Sequence, residues 1–80
     1  MSETIVVKAV FDPIAKVWVA DSADVPGLVA EAATLEALAD TVRIRIGELI
    51  ELNGTASSLP EIPVHLLAEH SMRVLNPKNR

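Results

Sequence analysis

The chain has 80 residues and a mass of 8.6 kDa, which is enough for one domain and excludes a two-lobed enzyme. Half of the residues are hydrophobic and none is cysteine, which excludes disulfides, thiolate nucleophiles and sulfur-ligated metal sites. The net charge is −4, and residues 1–72 hold all eleven acidic but only four of the seven basic side chains. Because residues 1–72 are therefore acidic, we expect them not to bind nucleic acid directly.

The apolar content is high for so small a domain. A folded monomer of this mass exposes roughly 4,700 Å², and the mean hydropathy is +0.35. We therefore expect another chain to cover part of the apolar surface, in a homo-oligomer (dimer or tetramer) or in a complex. No apolar stretch is long enough to span a membrane and the start lacks a basic signal segment, so we predict a soluble, cytoplasmic protein with no membrane association.

The first half of the chain predicts three strands. Residues 4–11 and 17–22 are rich in β-branched side chains, and Asp12 followed by Pro13 fits the first two positions of a type I turn between them. A type II turn is predicted at residues 25–28, since its third position is glycine. Residues 28–32 then form the third strand.

A helix and a fourth strand complete the prediction. Thr34 is a suitable N-cap, and the apolar spacing predicts a helix over residues 35–52 that stops at Gly54. Residues 55–60 form a polar loop, and residues 62–70 return to strand composition. Ile44 lies opposite the predicted buried stripe of the helix. That stripe consists of Leu38, Ala39, Val42, Ile46, Leu49 and Ile50.

These elements predict an α+β fold of order β-β-β-α-β, in which residues 1–72 form one domain and residues 73–80 form a basic, flexible tail. If the helix crosses over right-handedly, the last strand lies parallel to the first in a mixed four-stranded sheet of order 3-2-1-4. One helix covers one face of the sheet. Both faces carry apolar side chains, and Trp18 is expected to pack in the core or an interface rather than stack on a nucleic-acid base.

The chain offers few groups for catalysis. His65 and His70 are five residues apart on one strand, so they point to opposite faces and do not share a metal. Asp12, Asp21 and Asp24 lie near strand ends, where a magnesium-dependent nuclease could gather carboxylates, but aspartate is also common in turns. No phosphate loop, dinucleotide fingerprint or nucleophile elbow is present in the sequence. We predict no enzyme activity and no catalytic, cofactor-binding or metal-binding residues.

One long segment resembles a known family. Residues 17–54, VWVADSADVPGLVAEAATLEALADTVRIRIGELIELNG, resemble the central signature of the HicB-like antitoxins, in which a strand leads through a D-x-P-G turn and a short strand to a threonine that opens an apolar helix. Residues 62–74 are similar to the closing strand of a short bacterial subgroup with no assigned activity. The resemblance implies a partial ribonuclease-H-like fold, the layout that periodicity also predicts.

The resemblance also implies partners. Members of that family neutralise a small, basic HicA-type toxin that cleaves messenger RNA, and they commonly self-associate. Many carry a C-terminal DNA-binding module, for which residues 73–80 are too short. The positions expected to contact a partner are Asp24, Val25, Pro26 and Gly27, together with Ile44 and Glu48. The alternative is that they form only a rigid turn and a solvated helix face.

Three functions stay open at this stage. The first is a non-catalytic antitoxin-like module that occludes the RNA-binding or catalytic surface of a HicA-type toxin. The second is a free-standing homo-oligomeric scaffold or small-ligand-binding protein that keeps the fold without a toxin. The third is a metal-dependent nuclease that uses Asp12 and Asp24.

Overall fold

The computed structural model describes residues 4–53 and 60–79. Four strands and one helix follow one another in the predicted order β-β-β-α-β, and each observed boundary lies within two residues of the predicted one. The elements are β1 (Ile5–Asp12), β2 (Val17–Asp21), β3 (Val29–Ala32), α1 (Leu35–Asn53) and β4 (Val64–Glu69).

The strands form one mixed sheet of order β3-β2-β1-β4, which confirms the predicted topology. β1 pairs antiparallel with β2 and parallel with β4, and β2 pairs antiparallel with β3. The parallel pair requires a crossover, which α1 provides. β3 and β4 are the edge strands, so each has one side without a ladder partner in the sheet.

The hairpin between β1 and β2 is longer than the predicted type I turn. The amide of Lys16 donates to the carbonyl of Asp12 at 2.7 Å, so the reversal spans one residue more than a β-turn. The Asp12 carboxylate accepts hydrogen bonds from the amides of Ile14 and Ala15 at 2.9 and 3.2 Å, which holds the first part of the loop. Lys16, at φ 58°, completes the reversal in the left-handed region.

Thr34 caps the helix as predicted. Its hydroxyl oxygen accepts a hydrogen bond from the amide of Ala37 at 3.1 Å, and its carbonyl accepts from the amide of Leu38 at 2.9 Å. The cap thereby satisfies an amide of the first turn that has no partner inside the helix. The predicted helix stop at Gly54 and the predicted loop, except Pro60, lie outside the described residues.

The core lies between the helix and one face of the sheet. α1 packs mainly against β3 and β2, and its Leu38 and the β1 residue Val7 are completely buried. The other face of the sheet carries no further helix or strand in the described parts of the chain. No helix within residues 4–53 or 60–79 has the length and apolar character needed to cross a membrane. The buried side chains are Val7, Ala9, Ala20, Val25, Leu28, Ala30, Leu38, Val42 and Ile46.

Candidate interaction surface

The loop after β2 fastens the beginning of β1. A carboxylate oxygen of Asp24 accepts a hydrogen bond from the amide of Val6 at 2.9 Å, while the Ser22 hydroxyl donates to the carbonyl of Val6 at 2.7 Å. The amide of Asp24 in turn donates to the Ser22 oxygen at 3.1 Å. Asp24, a predicted contact residue, therefore has a structural task in addition to any role on the surface.

The next four residues form the predicted type II turn. The amide of Leu28 donates to the carbonyl of Val25 at 3.1 Å, and Gly27 has φ 87°, as the third position of this turn requires. Val25 is buried in the core, so within the turn only Pro26 and Gly27 are exposed. A Cβ on Gly27 would lie 3.7 Å from the Leu49 side chain, which places the turn against the C-terminal half of α1.

The outward side of α1 carries an apolar and acidic strip, here called the outer helix face, formed by Ile44, Glu48 and Leu52. Ile44 is 64% exposed and Leu52 is 80% exposed, and Glu48 between them is also exposed. The spacing of four residues puts them on neighbouring turns. Leu52 is absent from the sequence-based set, although the same spacing from Glu48 indicates it.

The predicted contact residues thus divide into two groups. Val25 is buried in the core, whereas Asp24, the exposed turn residues and the outer helix face are accessible to a partner. Gly27 packs on Leu49, which follows Glu48 in the helix, so the turn and Glu48 lie at the same end of the domain.

The uncovered side of the sheet, here called the open sheet face, is a second candidate surface. Val10, Val29 and Leu67 are each more than half exposed there, and β2 adds Val19 beside Val10. Their ladder neighbours on this face include three exposed carboxylates and one exposed lysine, Lys8, which makes the face apolar with a net negative charge. Those carboxylates belong to Asp21, Glu31 and Glu69.

A third surface is the C-terminal arm, residues 71–79, which follows β4. All of its residues are exposed and none lies in a helix or strand. Met72, Val74 and Leu75 are 70%, 83% and 94% exposed. The arm ends in a turn, in which the side chain of Asn76 accepts a hydrogen bond from the amide of Lys78 at 2.9 Å.

An aromatic cluster marks the start of the arm. The ring of His70 lies 4.4 Å from Phe11 and 5.7 Å from Trp18, centroid to centroid, and all three rings meet edge to face. Trp18 is half-buried beside the core, as predicted. His65 pairs with Val6 on the open sheet face, so the two histidines lie on opposite faces, also as predicted.

The three aspartates proposed for a metal site do not come together. Asp12 ends β1 at the hairpin, whereas Asp24 binds the Val6 amide, which is six residues, roughly 20 Å, back along the strand. Asp21 stands opposite Lys8 in the ladder. Within the described residues, no group of three histidine, aspartate or glutamate side chains is placed to hold a metal ion.

Comparison with known proteins agrees with this fold. The chain is similar to a solved structure, the hypothetical protein TTHA1013 from the extremely thermophilic bacterium Thermus thermophilus, at 45% sequence identity and a TM-score of 0.67, over 91% of this chain and 99% of that one. No curated protein matches. Residues 4–76 match the family described as a domain of unknown function, DUF1902. The chain therefore belongs to the DUF1902 family.

Proposed function

We propose that the chain is a non-catalytic protein-binding module of the antitoxin type. The observation that carries the proposal is its exposed surface of 6468 Å², against the roughly 4,700 Å² of a compact monomer of this mass. Large apolar side chains on the outer helix face, the open sheet face and the C-terminal arm contribute to this excess. Exposed apolar patches of this kind are typical of surfaces that other proteins cover.

The charge of the body supports a basic partner. Residues 1–72 carry eleven acidic and four basic side chains, and Glu48 lies within the outer helix face. An acidic surface accelerates encounter with a basic protein and disfavours acidic competitors. A HicA-type toxin, a small basic ribonuclease, fits this chemistry. Binding at the exposed turn and outer helix face would exclude messenger RNA by occlusion, in the cytoplasm.

Co-expression with a small basic protein of the HicA type, taken from beside this gene where the genome encodes one, tests the proposal. The wild-type chain should relieve the growth arrest that the toxin causes and should co-purify with it. Ile44→Lys removes an apolar contact and repels a basic partner while keeping a good helix former, so we expect binding to weaken at least tenfold. Ile14→Lys is the matched control, because Ile14 is 93% exposed in the hairpin loop.

The melting temperatures of both variants are measured first, so that a loss of binding is distinguished from a loss of folding. A loss of rescue by Ile44→Lys but not by Ile14→Lys supports the outer helix face as the contact. Absence of any complex and of any relief of growth arrest by the wild-type chain contradicts the antitoxin function.

The second candidate is a free-standing homo-oligomeric scaffold or small-ligand-binding protein. The exposed apolar arm favours self-association, which both candidates share. A stable oligomer in a host whose genome places no small basic protein beside this gene would favour the scaffold. The third candidate, a nuclease, gains no support from the separated aspartates. It predicts RNA cleavage that a chelator, Asp12→Asn or Asp24→Asn abolishes.

A further inference from the structure

The chain is elongated, because its C-terminal arm leaves the body. The radius of gyration is 16.0 Å and the principal extents are 58 × 26 × 19 Å, whereas a compact chain of this length has a radius of gyration of about 12 Å. The five residues before its terminal turn can span at most roughly 17 Å, and they add to the long axis. The exposure of every residue in the arm shows that it does not fold back onto its own domain.

The arm has the composition of a binding segment. Met72, Val74 and Leu75 supply large apolar side chains, and Arg73 and Lys78 supply positive charge. The arm follows directly after His70, whose ring packs on Phe11. The arm therefore begins at a fixed point at the edge of the sheet. Leaving three large apolar groups in water is unfavourable unless another surface covers them.

The open sheet face has the complementary composition. Exposed valine and leucine side chains occupy β1, β3 and β4. Their face also carries three exposed carboxylates and one exposed lysine, Lys8, which pairs with Leu67, so its net charge is negative. Leu67 and Glu69 place part of this face on β4, the strand from which the arm departs. The arm is therefore apolar and basic, whereas the open sheet face, which reaches from β3 to β4, is apolar and has a net negative charge.

We propose that the C-terminal arm of one copy docks on the open sheet face of a second copy, in a reciprocal, two-fold symmetric dimer. In such a dimer each copy contributes both an arm and a face. A standard interface buries about 800 Å² on each partner, and the chain exposes roughly 1,800 Å² more than a compact monomer of its mass. The excess of the whole chain is larger than the area that a standard interface buries on one partner. The inference rests on the self-association in the proposed function, but not on the toxin.

The test compares two variants of the full chain with a matched control. The arm variant Val74→Glu/Leu75→Glu places negative charge opposite an acidic face. The face variant Leu67→Lys places positive charge opposite a basic arm, on an edge strand that tolerates lysine. The control is Ile14→Glu, in the exposed hairpin loop. Every substituted position is more than half exposed, so the fold should persist, and far-ultraviolet circular dichroism verifies it.

Light scattering coupled to size exclusion provides the readout. The wild-type chain and the control should have about twice the monomer mass of 8.6 kDa. Each variant should dimerise roughly 30-fold more weakly or worse, the size of a hot-spot loss. A mixture of the arm and face variants should recover dimers, because the heterodimer keeps one intact arm-to-face contact.

Each other result overturns a stated part of the inference. A monomeric wild-type chain contradicts both self-association and the docked arm. A dimer that survives the arm variant leaves self-association standing but removes the arm from it. If both variants dimerise more weakly but their mixture does not recover dimers, the pairing of the arm with the face is contradicted. An arm variant that keeps the dimer but loses the co-expressed toxin assigns the arm to that partner instead.

Discussion

The two glycines of the described chain should respond in opposite directions to the same substitution. Gly27 is the third residue of the type II turn at φ 87°, where any side chain is strained. Gly47 lies inside α1, and a Cβ there would have nothing within 4 Å. Gly27→Ala is therefore expected to destabilise the fold, and Gly47→Ala is expected to stabilise it.

The backbone conformation at each glycine determines the size of the two stability changes. A left-handed conformation costs an L-residue roughly 1–2 kcal/mol, and the Cβ of Gly27→Ala would make only an ordinary contact with Leu49 at 3.7 Å, so no steric clash adds to this cost. In the helix interior, alanine is favoured over glycine by about 0.8–1 kcal/mol. For a chain of 80 residues, a change of 1 kcal/mol shifts Tm by roughly 6 °C.

Urea denaturation and thermal melting of both variants at one protein concentration measure these changes. Gly27→Ala should lower Tm by roughly 6–12 °C and Gly47→Ala should raise it by roughly 5 °C. A neutral or stabilising Gly27→Ala would show that the turn does not require the left-handed conformation. A destabilising Gly47→Ala would show that the exposed helix surface at this position is covered in solution.

Three further predictions concern the cap, the core and the loop after β2, all measured as free energies of unfolding in urea. Thr34→Ala should lose about 1 kcal/mol, while Thr34→Asn, which keeps an acceptor, should lose almost nothing; equal losses would contradict the observed cap. Leu38→Ala, at a fully buried site, should lose roughly 2–5 kcal/mol, whereas Ile44→Ala, on the outer helix face, should change stability by less than about 0.5 kcal/mol. Asp24→Ala should lose about 1 kcal/mol, because the amide of Val6 gives up its acceptor; an unchanged stability would remove that structural role.

Local sequence signals predict most of the fold because each element is bounded by residues with one clear conformational preference. Thr34 opens the helix through its own hydroxyl, and Gly27 permits the type II turn. The alternation of side chains along the strands and the spacing of four in the helix then determine which faces meet. One helix on a four-stranded sheet leaves few topologies that obey the right-handed crossover.

The features that the sequence does not reveal depend on contacts between distant residues or on competing local bonds. The carboxylate of Asp24 binds the amide of Val6, 18 residues away, and no local pattern indicates this pair. The β1–β2 hairpin is longer than predicted because the Asp12 carboxylate binds two loop amides. The sequence predicts a flexible tail over residues 73–80, and the apolar exposure of the arm in the structure is what points to an interface.

Hydroxyl-radical footprinting of the wild-type chain tests most directly whether another protein molecule covers the exposed apolar side chains of the C-terminal arm and the open sheet face. Met72, Leu75 and Leu67 are compared with Ile14, each relative to its rate in the unfolded chain, at concentrations above and below those at which dimers form. We expect all three to be protected at high concentration and released on dilution, while Ile14 reacts freely throughout. If Met72, Leu75 and Leu67 react as fast as Ile14 at every concentration, with or without the co-expressed partner, no protein covers them and the account is wrong.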